Sequence, residues 1–180
     1  MLAALREVIA EAPLFAPTMP RTGKPFSVRM TNCGPLGWVS DARGYRYQER
    51  HPETGRPWPA IPEAIAGVWR ELLPQAPAPE ACLVNYYHAS AKMGLHQDRD
   101  ERATDVPVLS ISLGDEARFR IGGGTRNAPT RAFALHSGDV FAFGAESRLA
   151  FHGVDRILSG TSTLLPEGGR FNLTLRRVNP

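Results

Sequence analysis

The sequence predicts a mainly β fold of the sandwich or jelly-roll kind with flanking helices, and three observations carry that prediction. From Ala81 onward, short runs of β-branched and aromatic residues recur, separated by Gly, Asp and Asn turns. Only two stretches, near residues 1–12 and 61–73, place apolar residues at helical spacing. The 180 residues are 42% hydrophobic and 22% charged, which suits one domain over 1–180 with a core of its own.

Taken in chain order, Leu2, Leu5, Val8 and Ile9 lie about one turn apart, the pattern of a short amphipathic helix. Arg6, Glu7 and Glu11 interrupt any apolar stretch long enough for a signal peptide or a membrane span, so no membrane association is expected. Residues 13–62 are rich in Pro, Gly, Arg and aromatics without a sustained helical period and read as strands and loops. Between 61 and 73, Ile65, Val68, Trp69 and Leu72 share a helical face, with Pro62 near the start and Pro74 as the stop. A Pro-rich connector, 74–79, follows. Strands are expected near 81–87, 94–98, 106–113, 117–121, 131–135, 139–143, 148–152 and 170–177, with the glycines of 122–127 as a turn.

Cys33 and Cys82 are too few for a disulfide framework and lack the spacing of a zinc site, so they read as packing residues in a reducing cytoplasm. The net charge is +3, but 21–58 holds seven basic residues against three acidic ones. Arg dominates Lys, which suits bidentate contact with carboxylates and phosphates. A solvated basic face is the plainer alternative.

His96-Gln97-Asp98 carries the first chemical signal. On a strand, residues two apart share a face, so an imidazole and a carboxylate stand side by side. A distant His would complete the two-histidine, one-carboxylate facial triad that holds Fe(II) with positions left open. With five His and seven Asp in the chain, chance supplies a His-x-Asp in roughly one such sequence in five, so the motif needs support.

Residues 170–176 supply some. Phe171, Leu173 and Leu175 face one way, while Arg170, Asn172, Thr174 and Arg176 share the other face. Turned to water, that face needs no comment; turned into a barrel mouth, it is an anion site. The two Arg Cα atoms would stand roughly 20 Å apart, so a dicarboxylate could lie between them, with Asn172 adding donors.

Together, His96-Gln97-Asp98, Asn85-Tyr86-Tyr87, His152 and Arg170-Phe-Asn-Leu-Thr-Leu-Arg176 resemble the AlkB family of iron and 2-oxoglutarate dioxygenases, in its bacterial nucleic-acid-repair members. Met30-Thr-Asn-Cys-Gly34 leading to Gly37-Trp38, Arg56-Pro-Trp-Pro-Ala60 and Ser110-Ile-Ser-Leu-Gly114 agree. So does Gly138-Asp-Val140 running through Gly144 and Glu146-Ser-Arg148 to His152, and the likeness spans about residues 1–178. One departure is that the family usually carries a further N-terminal strand segment, whereas this chain opens at the first helix, which bears on edge support for the small accessory sheet.

The resemblance implies a double-stranded β-helix (jelly roll) core at about 81–178, with flanking helices and a nucleotide-recognition lid at about 13–62. It implies His96, Asp98 and His152 as Fe(II) ligands. His136, the rival third ligand, reads as a turn residue before Ser137, and His51 and His88 as surface or turn residues. 2-Oxoglutarate would chelate the iron, with O2 as the other co-substrate. Arg170 would clamp the far carboxylate with help from Tyr87, and Asn85, Asn172 and Arg176 would complete that pocket. Without the family, Tyr87 reads as a core tyrosine bonded to backbone.

Substrate contacts are expected at Trp38 and Asp100, as a π-face and a carboxylate for a cationic N-methylated base, with the His96 ring as a stacking wall. Tyr45, Tyr47 and Arg126 are expected along the nucleic-acid backbone. The implied reaction is oxidative demethylation of N1-methyladenine- and N3-methylcytosine-type bases in single-stranded or flipped-base DNA, with RNA as a further substrate, releasing formaldehyde. A monomer is the family precedent. Two other readings stay open: an oxygenase acting on a protein, lipid or small molecule, and a non-catalytic jelly roll.

Overall fold

The computed structural model describes residues 1–180. Helix α1 (Leu2–Glu11) leads to strands β1 (Arg29–Cys33), β2 (Gly37–Asp41) and β3 (Gly44–Gln48), and then to helix α2 (Glu63–Leu72). The remaining strands are β4 (Ala81–Tyr87), β5 (Met93–His96), β6 (Val108–Gly114) and β7 (Glu116–Ile121). They are followed by β8 (Arg131–Leu135), β9 (Val140–Phe143), β10 (His152–Leu158) and β11 (Arg170–Arg176).

A five-stranded sheet in the order β1-β4-β11-β6-β9 faces a four-stranded sheet in the order β5-β10-β7-β8, and β2-β3 form a separate hairpin. All pairings are antiparallel. This is the jelly roll with flanking helices that the strand spacing predicts.

The large sheet has two faces with different tasks, and period-2 alternation assigns them. Leu173 and Leu175 of β11, Leu109, Ile111 and Leu113 of β6, and Cys82 and Val84 of β4 form one cluster with Leu5 and Val8 of α1 and Ile65 and Trp69 of α2. The helices therefore seal the outer face of that sheet. The inner face carries Leu83, Asn85 and Tyr87 from β4, Ser110 from β6, and Arg170, Asn172, Thr174 and Arg176 from β11 into a cavity of about 540 Å³ between the sheets. Cys33 and Cys82 stand opposite one another in the β1–β4 register, fully buried, as packing residues.

Three expectations need correction. No strand forms over 148–151: a 3-10 turn (Ala145–Ser147) runs on into a turn at 148–149, and β10 begins at His152. Ala145, at φ +47°, leaves the strand region there, and Arg148 just after the turn sends its guanidinium inward to the carbonyls of Val106 and Asp98. The strand expected at 94–98 ends at His96, leaving Asp98 beyond β5; within 13–62, β1 pairs with β4 as the outer strand of the large sheet. The β2–β3 hairpin is the part that stands apart from both sheets. His51 is not a surface residue: it is buried against Phe15 and Trp58. Its Nε2 donates to the Pro13 carbonyl, while Nδ1 accepts from the amides of Glu53 and Thr54, so its role is to hold a turn. His136 and His88 are exposed, as expected.

Candidate active site

His96 and His152 are cross-strand partners in the β5–β10 register, which brings residues 56 apart in sequence to the same spot. Their ring centroids lie 4.4 Å apart. Each imidazole places Nδ1 against a backbone carbonyl, His96 at 2.9 Å from Gly94 O and His152 at 3.0 Å from Ala150 O. A carbonyl only accepts, so each Nδ1 carries the proton and each Nε2 keeps its lone pair. Both Nε2 atoms face the same oxygen, Oδ1 of Asp98, at 3.7 and 3.8 Å. The ligand atoms of these three residues lie within 4.8 Å of one another.

Protonation agrees with that geometry. Burial pushes the Asp98 carboxyl up, but the charge and hydrogen bonds of the Arg176 guanidinium outweigh it and hold the group well below the usual carboxylate range. Burial pushes His152 down to about 4 against the pull of Asp98, so its ring is neutral at physiological pH. Two imidazole lone pairs and one carboxylate on one side of a cavity are a donor set that suits Fe(II).

The wall beside the triad is built for an anion. Arg170 is 1% exposed, yet its bonds go to neutral groups: Nη1 to the carbonyls of Asp115 and Leu135, Nη2 to Ser112 Oγ. Its Nε has no partner. Burial lowers its pKa to about 10, with Tyr87 and Asp139 pulling the other way. A buried guanidinium without a carboxylate partner is costly unless a ligand supplies the negative charge. Tyr87 and Asn85 line the same cavity, where a phenolic hydroxyl and a side-chain amide N–H can donate to an anion. The far carboxylate of 2-oxoglutarate fits this set.

Arg176 and Asn172 depart from the expected symmetric clamp. Arg176 donates to Asp98 Oδ2 from Nη2 and Nε, at 2.7 and 3.1 Å, leaving Nη1 as its unpartnered atom. Asn172 spends its Nδ2 on Ser110 Oγ and Ile111 O and accepts from Thr174 on Oδ1. The Asn172 amide is thus spent within the sheet, whereas Arg176 keeps one unpartnered donor, Nη1, in the cavity wall.

At the cavity mouth, Trp38 Nε1 donates to Asp100 Oδ2 at 2.8 Å, and the Trp38 ring stacks on Tyr45 at 5.7 Å. Tyr45 is half exposed. Arg126 lies across the Phe151 ring and donates to the Leu95 carbonyl, also at the mouth. The Tyr47 hydroxyl turns inward and donates to Glu101 Oε1. Sequence reasoning passed over Glu101 and treated Arg148 only as part of a motif, since an acid in the run Asp98 to Glu101 and an Arg in a polar turn both look solvated. Phe119, Phe141 and Phe143, which also line the cavity, look like ordinary core.

Comparisons with known proteins agree with this geometry. The profile of the 2OG-Fe(II) oxygenase superfamily matches residues 1–176. The chain is 62% identical over 156 residues to an alpha-ketoglutarate-dependent dioxygenase AlkB homolog of Caulobacter vibrioides, covering 87% of this chain and 71% of that one. It is 39% identical over 178 residues to the alpha-ketoglutarate-dependent dioxygenase AlkB of Escherichia coli, covering 97% of this chain and 82% of that one. It is 42% identical over 135 residues to the DNA N(6)-methyladenine demethylase ALKBH1D of Arabidopsis thaliana, covering 65% of this chain and 30% of the relative. The solved structure of OsALKBH1 superposes with a TM-score of 0.79 at 32% identity, covering 98% of this chain and 91% of that one. By the superfamily profile over residues 1–176 and these relatives, the chain belongs to the 2OG-Fe(II) oxygenase superfamily and, within it, to the AlkB family of dioxygenases.

Proposed function

We propose that this protein oxidatively demethylates N-alkylated bases of the N1-methyladenine and N3-methylcytosine type in DNA, with RNA as a further substrate, using Fe(II), 2-oxoglutarate and O2. The observation that carries the substrate class is the pairing of Trp38 with Asp100 at the mouth of the cavity that holds the triad. An aromatic face and an anionic oxygen held together form a receptor for a flat cation, and these lesions are flat cations. The ring of His96, 40% exposed, offers a second wall for the same base.

In this reading His96, Asp98 and His152 hold the metal, and Arg170 with Tyr87 and Asn85 orients the far carboxylate of the co-substrate. Bound there, iron and 2-oxoglutarate supply the activated oxygen that hydroxylates the N-methyl carbon, the co-substrate leaving as succinate and carbon dioxide. The chain's own residues do the rest. Trp38 and Asp100 set the methyl group over the triad, and the phenylalanines of β7 and β9 keep water from it. The hydroxymethylated base then loses formaldehyde, and a cationic ring is the better leaving group. Named relatives that are DNA demethylases support nucleic acid as the partner, and we assign the whole chain to a single catalytic unit acting as a monomer.

The test is incubation with Fe(II), 2-oxoglutarate and a single-stranded oligonucleotide carrying N3-methylcytosine, reading formaldehyde, succinate and restored cytosine together. All three should appear in equal amounts. Succinate without restored base would point to an oxygenase acting on a protein or small molecule, and neither product would refute the enzyme.

A further inference from the structure

Behind the metal-site carboxylate lies a closed circuit of buried charge that the reaction as described does not use. Glu101, 5% exposed, accepts the Tyr47 hydroxyl on Oε1, and Arg176 Nε lies 3.3 Å from the same oxygen. Its Oε2 is 3.2 Å from Arg148 Nη2. Both arginines then reach residue 98: Arg176 donates to its Oδ2 at 2.7 Å, and Arg148 Nη1 donates to its carbonyl at 2.6 Å. Two carboxylates and two guanidinium groups balance in charge, and removing one member would leave a buried charge without a partner.

The circuit has a consequence for the metal. Asp98 can turn either oxygen toward the imidazoles, and Arg176 occupies Oδ2, so Oδ1 faces His96 and His152. Arg176 is itself held from the other side by Glu101, and Glu101 is tied through Tyr47 to β3 of the hairpin that carries Trp38 and Tyr45. We propose that Glu101 is a positioning residue, anchored by Tyr47, which holds Arg176 against one oxygen of Asp98 and thereby selects the oxygen presented to the metal. The seating of the substrate hairpin and the orientation of a metal ligand thus share one buried carboxylate, and a hydroxyl that touches neither metal nor co-substrate contributes to metal affinity. The proposal rests on Asp98 being a ligand.

Co(II) serves as the probe, because its absorption spectrum reports coordination geometry and its titration gives an affinity without turnover. Outer-shell partners of metal ligands typically contribute about tenfold to a hundredfold in affinity. Glu101→Gln should weaken Co(II) binding within that range, and Tyr47→Phe should weaken it by a smaller factor, about threefold to tenfold; both should change the spectrum. Tyr86→Phe removes a tyrosine hydroxyl that bonds the Gly168 carbonyl, away from the circuit, and should leave both readings at the wild-type value. If Glu101→Gln does not fold, the two tyrosine variants decide alone. Wild-type Co(II) affinity and spectrum in Tyr47→Phe, or an equal loss in Tyr86→Phe, would overturn the proposal. Asp98→Ala separates this from the ligand assignment: loss of Co(II) there with none in Tyr47→Phe sinks the positioning role only, whereas retained binding in Asp98→Ala sinks both.

Discussion

Neither imidazole of the triad is free to choose its tautomer. The carbonyls of Gly94 and Ala150 take the Nδ1 protons, and that local choice, made by backbone, aims both Nε2 lone pairs at one point. Asp100 illustrates the same economy at the rim, since its bond to Trp38 both orients the carboxylate and fixes the indole plane. Asp100→Asn keeps the shape and removes the charge. It should lower kcat/KM for cationic N3-methylcytosine by about tenfold, the worth of one charge-assisted bond, and change that for neutral N3-methylthymine much less. Equal losses on the two bases would contradict a charge-reading role.

At the scale of elements, β11 is the strand on which the site depends, and its two ends are secured differently. At the start, Gly169 has φ +84° and an added Cβ would stand 2.7 Å from the Tyr87 carbonyl, so the approach of β11 to β4 at Arg170 requires glycine. Past the far end, Glu80 accepts the amides of Val178 and Asn179 at 2.9 and 2.7 Å. Burial raises the Glu80 pKa, but these bonds, with Arg177 nearby, outweigh it and leave the group below its ordinary value. A depressed carboxylate pKa means stability that is fully present above the ordinary value of 4.5 and is lost as pH falls through the folded value. Glu80→Gln should therefore cost about 1 to 3 kcal/mol at pH 7, and the gap from wild type should narrow as the pH is lowered below 4.5. Urea denaturation of the metal-free protein across that range would measure it, and a pH-independent gap would refute the assignment.

At the scale of the whole molecule, the basic segment proves less uniform than its charge count. Asp41 takes Arg46 at 2.8 Å and Arg43 at 3.2 Å, and those bonds hold its carboxyl well below the usual range. Arg46 is thus part of the hairpin turn, whereas Arg43, 73% exposed even with its bond to Asp41, and exposed Arg50, which donates to the Gly55 carbonyl, present their remaining guanidinium donors to solvent. Replacing both with Gln should reduce the slope of log K against log salt for a single-stranded oligonucleotide by about 0.7 per residue. An unchanged slope would remove the hairpin from the nucleic-acid path. No helix is long and apolar enough to cross a membrane.

What the sequence determined by itself is what a short period can encode. Alternation along 170–176 set Arg170, Asn172, Thr174 and Arg176 in one row and Phe171, Leu173 and Leu175 in another, because strand geometry repeats every two residues whatever the strand packs against, and the linked motifs led to the AlkB family; Asp98 stands beside His96 although β5 ends at His96. Only the tertiary structure decided where those rows point and what answers them. His152 meets His96 through a register across β5 and β10, Arg176 meets Asp98 and Glu101 rather than a ligand alone, and Tyr47 and His51 turn inward where their neighbours turn out. The physical reason is that a charge or hydroxyl near a surface costs little in any orientation, while once it is buried it must find a partner, and that partner comes from a distant part of the chain.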